Sequence, residues 1–238
     1  MGATLFISDL HLSDNTPEIE AGLYAFLERE SDMTRLFILG DFFEYWVGDD
    51  DDTPLSRRVI QQLRAVSDRG VSLFLVRGNR DLILGPDFAG QIGATLLSDT
   101  TVIDLDGVPT LVLHGDTLCT DDVEYQKMRA VLHDPAWQAE MLQRPLEERR
   151  EFARGLRNAS QEKADKDPAN IIDVNADAVS EAFSVHGVEH MIHGHTHRPQ
   201  THSTPEGERI VLGDWSATEG WCVRSENGRR TLERFSYS

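Results

Sequence analysis

The 238-residue chain carries 41 acidic against 23 basic side chains, a formal net charge of -18, within an ordinary globular composition. That surplus argues against binding nucleic acid, or adsorbing to an anionic bilayer, through the surface as a whole. No apolar run approaches the roughly 20 residues that span a membrane, and the opening MGATLFISDLHL has no basic n-region of a signal peptide. In chain order, Thr4–Ser8 reads as an apolar strand and Glu18–Glu30 as a helix behind Pro17. Leu36–Leu39 is a second strand. Leu55–Asp68 is a helix with apolar positions at Val59, Ile60, Leu63 and Val66, and Val71–Val76 is a third strand. Thr101–Leu105 and Thr110–Leu113 flank Asp106-Gly107 as a hairpin. Asp121–Asn158 is mostly helical, broken at Pro135 and Pro145, and Ile171–His186 is a further helix. Val188–Ile192, Ile210–Leu212, Trp221–Arg224 and Thr231–Phe235 complete the strands.

Strand–helix alternation followed by hairpins predicts an α/β sandwich of two mixed sheets flanked by helices, in a single domain over 1–238. The helical block at about 121–170 reads as an insertion. Cys119 and Cys222 lack CxxC spacing and read as reduced thiols of a cytoplasmic protein. The acidity has two readings, general solubility or concentration around cations, and the first is preferred because the four aspartates at 49–52 look like a solvated, self-repelling loop. Within the insertion the balance reverses, with Arg144, Arg149, Arg150, Arg154 and Arg157 among its basic residues.

Open α/β sheets place ligands at the carboxyl ends of their strands. Five strands here end in metal-ligand chemistry: Asp9 and His11, Gly40-Asp41, Gly78-Asn79-Arg80-Asp81, His114-Gly115-Asp116, and His193-Gly194-His195-Thr196-His197. Each motif alone has a plainer explanation as a cap or turn. Their recurrence at one topological position does not. Carboxylates and imidazoles suit two divalent ions, with the carboxylate-rich setting favouring Mn2+. Extended backbone would point Asp9 and His11 to one side, and a loop would let His195 and His197 diverge to different ions. Asp41, on the strand between those bearing Asp9 and Asn79, is the natural bridge between metals about 3.5–4 Å apart.

D-x-H, GD, GN-x-D, HGD and GH-x-H in this order resemble the calcineurin-like metallophosphoesterase family. The resemblance implies Asp9, His11, Asp41 and His197 on one metal, and Asp41, Asn79, His114 and His195 on the other. His193 falls outside that set, with a packing or supporting role. Most of the family has histidine where this chain has Arg80; arginine cannot be a general acid at neutral pH, but its fork can clamp phosphate oxygens. That change favours a pyrophosphate, whose leaving group needs little protonation. GDFFEYWVGDDD, HGDTLCTDD, IIDVN and HGHTHRP are similar to the branch of the family that splits UDP-2,3-diacylglucosamine in lipid A biosynthesis.

This likeness implies release of UMP and 2,3-diacylglucosamine 1-phosphate by a cytoplasmic enzyme on the inner face of the inner membrane, using Mn2+. Asn79, Arg80 and His195 would be catalytic, and with Asp122 and Ser160 would contact the substrate. Ala164 and Asp167 depart from family contacts, so Lys163 or Lys166 is expected to substitute, and Arg157 to face the substrate beside Ser160. The insertion would receive the acyl chains on Leu132, Trp137, Met141, Leu142, Leu146 and Phe152, although helix packing on the sheet explains apolar residues equally simply. A soluble nucleotide pyrophosphatase acting on ADP-ribose and a non-catalytic scaffold are the alternatives. Acyl length and oligomeric state are left open.

Overall fold

The computed structural model describes residues 2–166 and 173–237, the side chains of 159–166 excepted. Among these residues two mixed sheets pack face to face. The first is built on β1 (Ala3–Ile7), β2 (Met33–Leu39) and β3 (Ser72–Val76), all parallel, with β4 (Ala94–Leu96) at one edge. These strands are nearly continuous in apolar residues because both their faces are covered. Ala3, Leu5 and Ile7 point one way, onto α1 (Pro17–Arg29), α2 (Pro54–Asp68) and α3 (Pro86–Ile92), while Phe6 points the other. Register aligns Phe6, Phe37 and Phe74 across the three strands, where their rings stack at 4.8 and 4.4 Å.

The second sheet supplies the opposing wall. It contains β5 (Thr100–Leu105), β6 (Val108–Leu113), β7 (His190–His193), β8 (Gln200–Ser203) and β9 (Glu208–Val211), in the order β5-β6-β7-β9-β8. Val112, Ile192, Ile210 and Leu212 meet the phenylalanine stack, and the far face packs on α7 (Ala176–His186) through Val179 and Phe183. The hairpin β10 (Glu219–Glu226) and β11 (Arg229–Ser236) extends the first sheet antiparallel to β1. Its turn, like that of β5–β6, places the residue before glycine at positive φ: Asn227 at 54° and Asp106 at 57°.

Several boundaries differ from expectation. The short elements α3, β4 and β8 were not foreseen. The helix expected from Ile171 starts at Ala176, because Asn175 caps it through the amides of Asp177 and Ala178; residues 171 and 172 lie outside those described. Between β6 and α7 run α4 (Val123–Leu132), α5 (Pro135–Gln143) and α6 (Leu146–Lys166), with breaks at the two prolines.

The aspartate run is a correction. Each carboxylate has its own partner on a different part of the chain. Asp49 accepts from the Trp46 indole and from the Gly85 and Phe88 amides at 2.9 Å each, closing the start of α3. Asp52 takes a two-point contact from Arg57 of α2 at 2.5 and 2.8 Å. Asp50 and Asp51 receive Arg149 and Arg150 from α6. Arg57, five residues from Asp52, and Arg149 and Arg150, each 99 residues from its aspartate, offset the repulsion that adjacent acids would otherwise feel.

Candidate metal centre

The strand-end residues converge where the carboxyl ends of β1, β2, β3, β6 and β7 meet between the two sheets. The local backbone there is unusual. Asp9, His11, Asp41, His195 and His197 all have φ between 49° and 71°, a region that costs a non-glycine residue free energy. Asp9 and His11 therefore share a side because each sits at a left-handed bend after β1 ends at Ile7, not because the strand continues extended. The bends are held by backbone bonds: the Asp9 amide donates to the Gly40 carbonyl, His11 to Asp41, and Trp215 to Asp9, at 3.0–3.1 Å. Gly78 is required for close approach, since a Cβ there would lie 2.2 Å from Asp41 Oδ1.

Two groups of donors form. In the first, ligand atoms of Asp9, His11 and His197 lie within 4.8 Å of one another, and in the second those of Asp9, Asp41 and His114 do. His11 Nε2 is 3.3 Å from His197 Nε2, which in turn is 3.3 Å from Asp9 Oδ1. On the other side, His114 Nε2 is 3.0 Å from Asn79 Oδ1 and 3.2 Å from His195 Nδ1. Asp9 belongs to both groups and Asp41 to the second only, with one Asp41 oxygen 3.5 Å from His114 Nε2 and the other 4.0 Å from His11 Nε2. Ligands about 2.1 Å from one ion sit about 3.0–3.4 Å apart at octahedral or tetrahedral angles. The donor spacing thus fits two divalent ions, with a carboxylate oxygen directed at each. His197 stands in the first group, while His195 lies beside His114 of the second without belonging to either.

In the metal-free protein the protonation states are divided: some donors are ready to ligate and others hold a proton that an ion must displace. Burial pushes His11 down to about 3 and His195 to about 4, so both are neutral with a lone pair to give. Burial would also lower His114 and His197, but the carboxylates around them win, and both rise to about 9. Burial likewise works against ionised Asp9, yet the bond to His197 and the nearby imidazoles hold it well below the carboxylate range. Asp41, packed against other acids, is pushed up to about 7 by burial. The His114 tautomer is set by Nδ1, which donates to the Leu39 carbonyl at 2.9 Å and leaves Nε2 for the site. His193 stands outside: its Nδ1 donates to the Gly194 carbonyl, and its Nε2 accepts from the buried Arg209 at 3.0 Å.

Residues that the sequence reading did not single out hold this arrangement. Asp81, 1% exposed, accepts from the Gly78 and Phe42 amides at 2.7 Å each and from Phe43 at 3.4 Å, tying the Asp41 loop to the Asn79 loop. Glu44 lies 3.9 Å from His11 Nδ1 and 3.8 Å from Arg80, and is ion-paired with Arg157. His11 Nδ1 has no hydrogen-bond partner among the described residues, so Glu44 is the acceptor nearest to orienting it. Tyr125 tilts over His195 and donates to Asp116 at 2.8 Å. Tyr125 has no local motif around it; Glu44 stands inside GDFFEYWVGDDD, and Asp81 and Asp116 inside the GNRD and HGD motifs.

The expected substrate residues divide three ways. Arg80 is half-buried beside Asn79, and its amide donates to Asp41 Oδ1 at 2.8 Å. Asp122 is the N-cap of α4, accepting from the Tyr125 amide at 3.1 Å, and so acts on the site through the tyrosine. Arg157 projects from α6 to Glu44. Ser160, Lys163 and Lys166 have side chains outside the described residues. A cleft opens at Asn79 and Arg80 and continues between the sheet framework and α4–α6. Leu132, Trp137, Met141 and Phe152 wall it on one side, and Val47 and Ile83 on the other. Leu142 is instead 44% exposed, and neither it nor Leu146 is among the walls.

Comparison with known proteins agrees with this geometry. The model of the calcineurin-like phosphoesterase family matches residues 3–199. A UDP-2,3-diacylglucosamine hydrolase of Marinobacter nauticus is 47% identical over 229 residues, covering 94% of each chain. The protein of that name from Cellvibrio japonicus is 48% identical over 225 residues, covering 92% of this chain and 93% of its own. An archaeal phosphodiesterase structure superimposes over 99% of both chains with a TM-score of 0.53 at 12% identity, a likeness of fold alone. The chain belongs to the calcineurin-like phosphoesterase family, whose members use divalent metal ions.

Proposed function

We propose that the chain hydrolyses the pyrophosphate bond of UDP-2,3-diacylglucosamine, releasing UMP and 2,3-diacylglucosamine 1-phosphate. The observation that carries this reading is the apolar cleft that opens at Asn79 and Arg80, beside the paired donor groups. Acyl chains laid against Trp137, Phe152 and Met141 gain about 25 cal/mol for each Å2 they bury there. The relatives described above carry the corresponding name.

Asp9, His11, Asp41 and His197 would hold one ion, and Asp41, Asn79, His114 and His195 the other, with Mn2+ as the physiological metal. Bound ions supply Lewis acidity, a water nucleophile at neutral pH and neutralisation of phosphate charge. The protein does the rest. Arg80 clamps non-bridging oxygens of the pyrophosphate from the mouth of the cleft. Asn79 and His195 fix the reacting phosphate relative to Asp41. Glu44 keeps Arg80 and Arg157 near the mouth, and Tyr125 shields His195 on the solvent side. The departing group is itself a phosphate, so no side chain need protonate it.

No helix among the described residues is long and apolar enough to cross a membrane. We assign the chain to the cytoplasmic face of the inner membrane as a peripheral protein. Val123, Met128 and Val131 of α4, each 39–56% exposed, and Leu142 of α5 would meet the lipid surface. The test is incubation of chelator-treated protein with Mn2+ and UDP-2,3-diacylglucosamine, with products identified by mass spectrometry. UMP with the sugar-lipid phosphate supports the reading; UDP release, or no turnover, rejects it.

A further inference from the structure

The helices α4–α6 are held to the framework in an unusual way. Among the described residues none of their apolar side chains joins the hydrophobic clusters between the sheets or beneath α1–α3 and α7. Polar contacts do the holding. Arg129 bonds Asp116 at 2.6 Å and Asp99 at 3.0 Å at one end, and Arg157 pairs with Glu44. The most heavily built contact is at the aspartate run. Arg149 has a side chain only 3% exposed, and its guanidinium donates to the Val47 carbonyl at 2.6 Å and to both oxygens of Asp50 at 2.8 and 2.5 Å. Its Nε donates to the Arg144 carbonyl at 3.0 Å, so the start of α6 is locked to the same group. Arg150 bonds the buried Asp51 at 2.5 Å. Gly48, with φ of 136°, makes the room: a Cβ there would lie 2.3 Å from the Arg149 guanidinium and 2.6 Å from Asp50.

We propose that Arg149 and Arg150 are positioning residues, which clamp α6 on Asp50 and Asp51 and thereby set the width of the apolar cleft over Arg80. The inference rests on the proposed lipid substrate. One and two turns beyond Arg149, Phe152 with Ala153 and then Leu156 of α6 form the cleft wall facing Val47 and Ile83. There the helix faces the framework across the cleft. With little apolar packing to fall back on, the wall's position depends on the charge-assisted bonds, whose planar fork fixes orientation as well as distance. Selectivity for the acylated sugar then resides partly in Asp50 and Asp51, which belong neither to the donor groups nor to the cleft lining.

The test compares wild type with Asp50→Asn/Asp51→Asn on UDP-2,3-diacylglucosamine and on bis(p-nitrophenyl) phosphate, a small diester that needs only the metal centre. Amide hydrogen exchange across 146–158 is followed alongside. Loss of the clamp should raise KM for the lipid about tenfold, the low end for bonds to charged groups because Asp50 is half in solvent. The kcat and the diester rate should stay within about twofold, as for a loss of uniform binding, and exchange across 146–158 should accelerate. The swap Asp51→Arg/Arg150→Asp should recover more of the KM than either single change. Unaltered KM and unaltered exchange would overturn the proposal, as would equal loss of turnover on both substrates, which would place the effect at the metals. If the wild type does not turn over the lipid, the proposed function fails, while exchange across 146–158 still decides whether the clamp holds α6.

Discussion

Asp81 is buried, touches no expected ligand atom, and yet ties together the two loops that carry Asp41 and Asn79. Replacing it with alanine would strand the Gly78 and Phe42 amides, which it accepts at 2.7 Å each, and the weaker donor Phe43 at 3.4 Å. A bond to a charged acceptor contributes about 1.5–3 kcal/mol, and an orphaned buried N–H costs a similar amount. Counting the two short bonds fully and the long one little gives a loss of about 3–5 kcal/mol. For a chain of this size, each kcal/mol lowers Tm by about 2–4 °C, so Asp81→Ala should melt roughly 10 °C below wild type or lower. Asp81→Asn should rescue little, because the amide NH2 would face one of the two backbone donors. Calorimetry on metal-free protein gives the stability, and titration with Mn2+ gives affinity, which should weaken because both loops are released. A loss below about 1 kcal/mol with unchanged metal affinity would refute this account of how the centre is held.

The other expectations are as follows. Arg80→Ala should lower turnover on the UDP-lipid by about two to four orders of magnitude, the scale of one preorganised charge contact, and Arg80→His should not restore it; full activity of either variant in steady-state kinetics excludes the clamp role. Each methylene removed from the acyl chains should raise KM by up to about fourfold, from about 0.8 kcal/mol per buried CH2. Trp137→Ser or Phe152→Ser should flatten that dependence. In metal-free protein, Asp41 at about 7 and His114 and His197 at about 9 hold protons that an ion must displace. Mn2+ affinity should therefore rise from pH 6 to pH 9, with protons released on binding; calorimetry in two buffers of different ionisation enthalpy checks it, and absent proton release contradicts it.

What the sequence disclosed follows from where each interaction sits along the chain. Asp9 with His11, Asp41 after Gly40, Asn79 before Arg80, and the histidines at 195 and 197 are local signals at strand ends, so their convergence could be anticipated from strand order alone. The bends that aim them could not, because nothing in Ser8-Asp9-Leu10-His11 announces positive φ at non-glycine residues. The ion pairs of the aspartate run were not legible for a different reason: two of its partners, Arg149 and Arg150, lie 99 residues away. Glu44 escaped notice because its neighbours His11, Arg80 and Arg157 come from three separate segments. The apolar residues of the insertion were legible as apolar, but only the structure separates Trp137 and Phe152, which wall the cleft, from Leu142, which faces outward.

The central claim joins the metal centre to the cleft, and one comparison tests both: kcat/KM with Mn2+ for UDP-2,3-diacylglucosamine against ADP-ribose under identical conditions. Both molecules carry a pyrophosphate that the donor groups could engage, and only one carries chains for the space between Phe152 and Ile83. The account predicts that the lipid is preferred by at least about three orders of magnitude, the worth of only a few buried methylenes on each chain. Equal rates, or a preference for ADP-ribose, would contradict it.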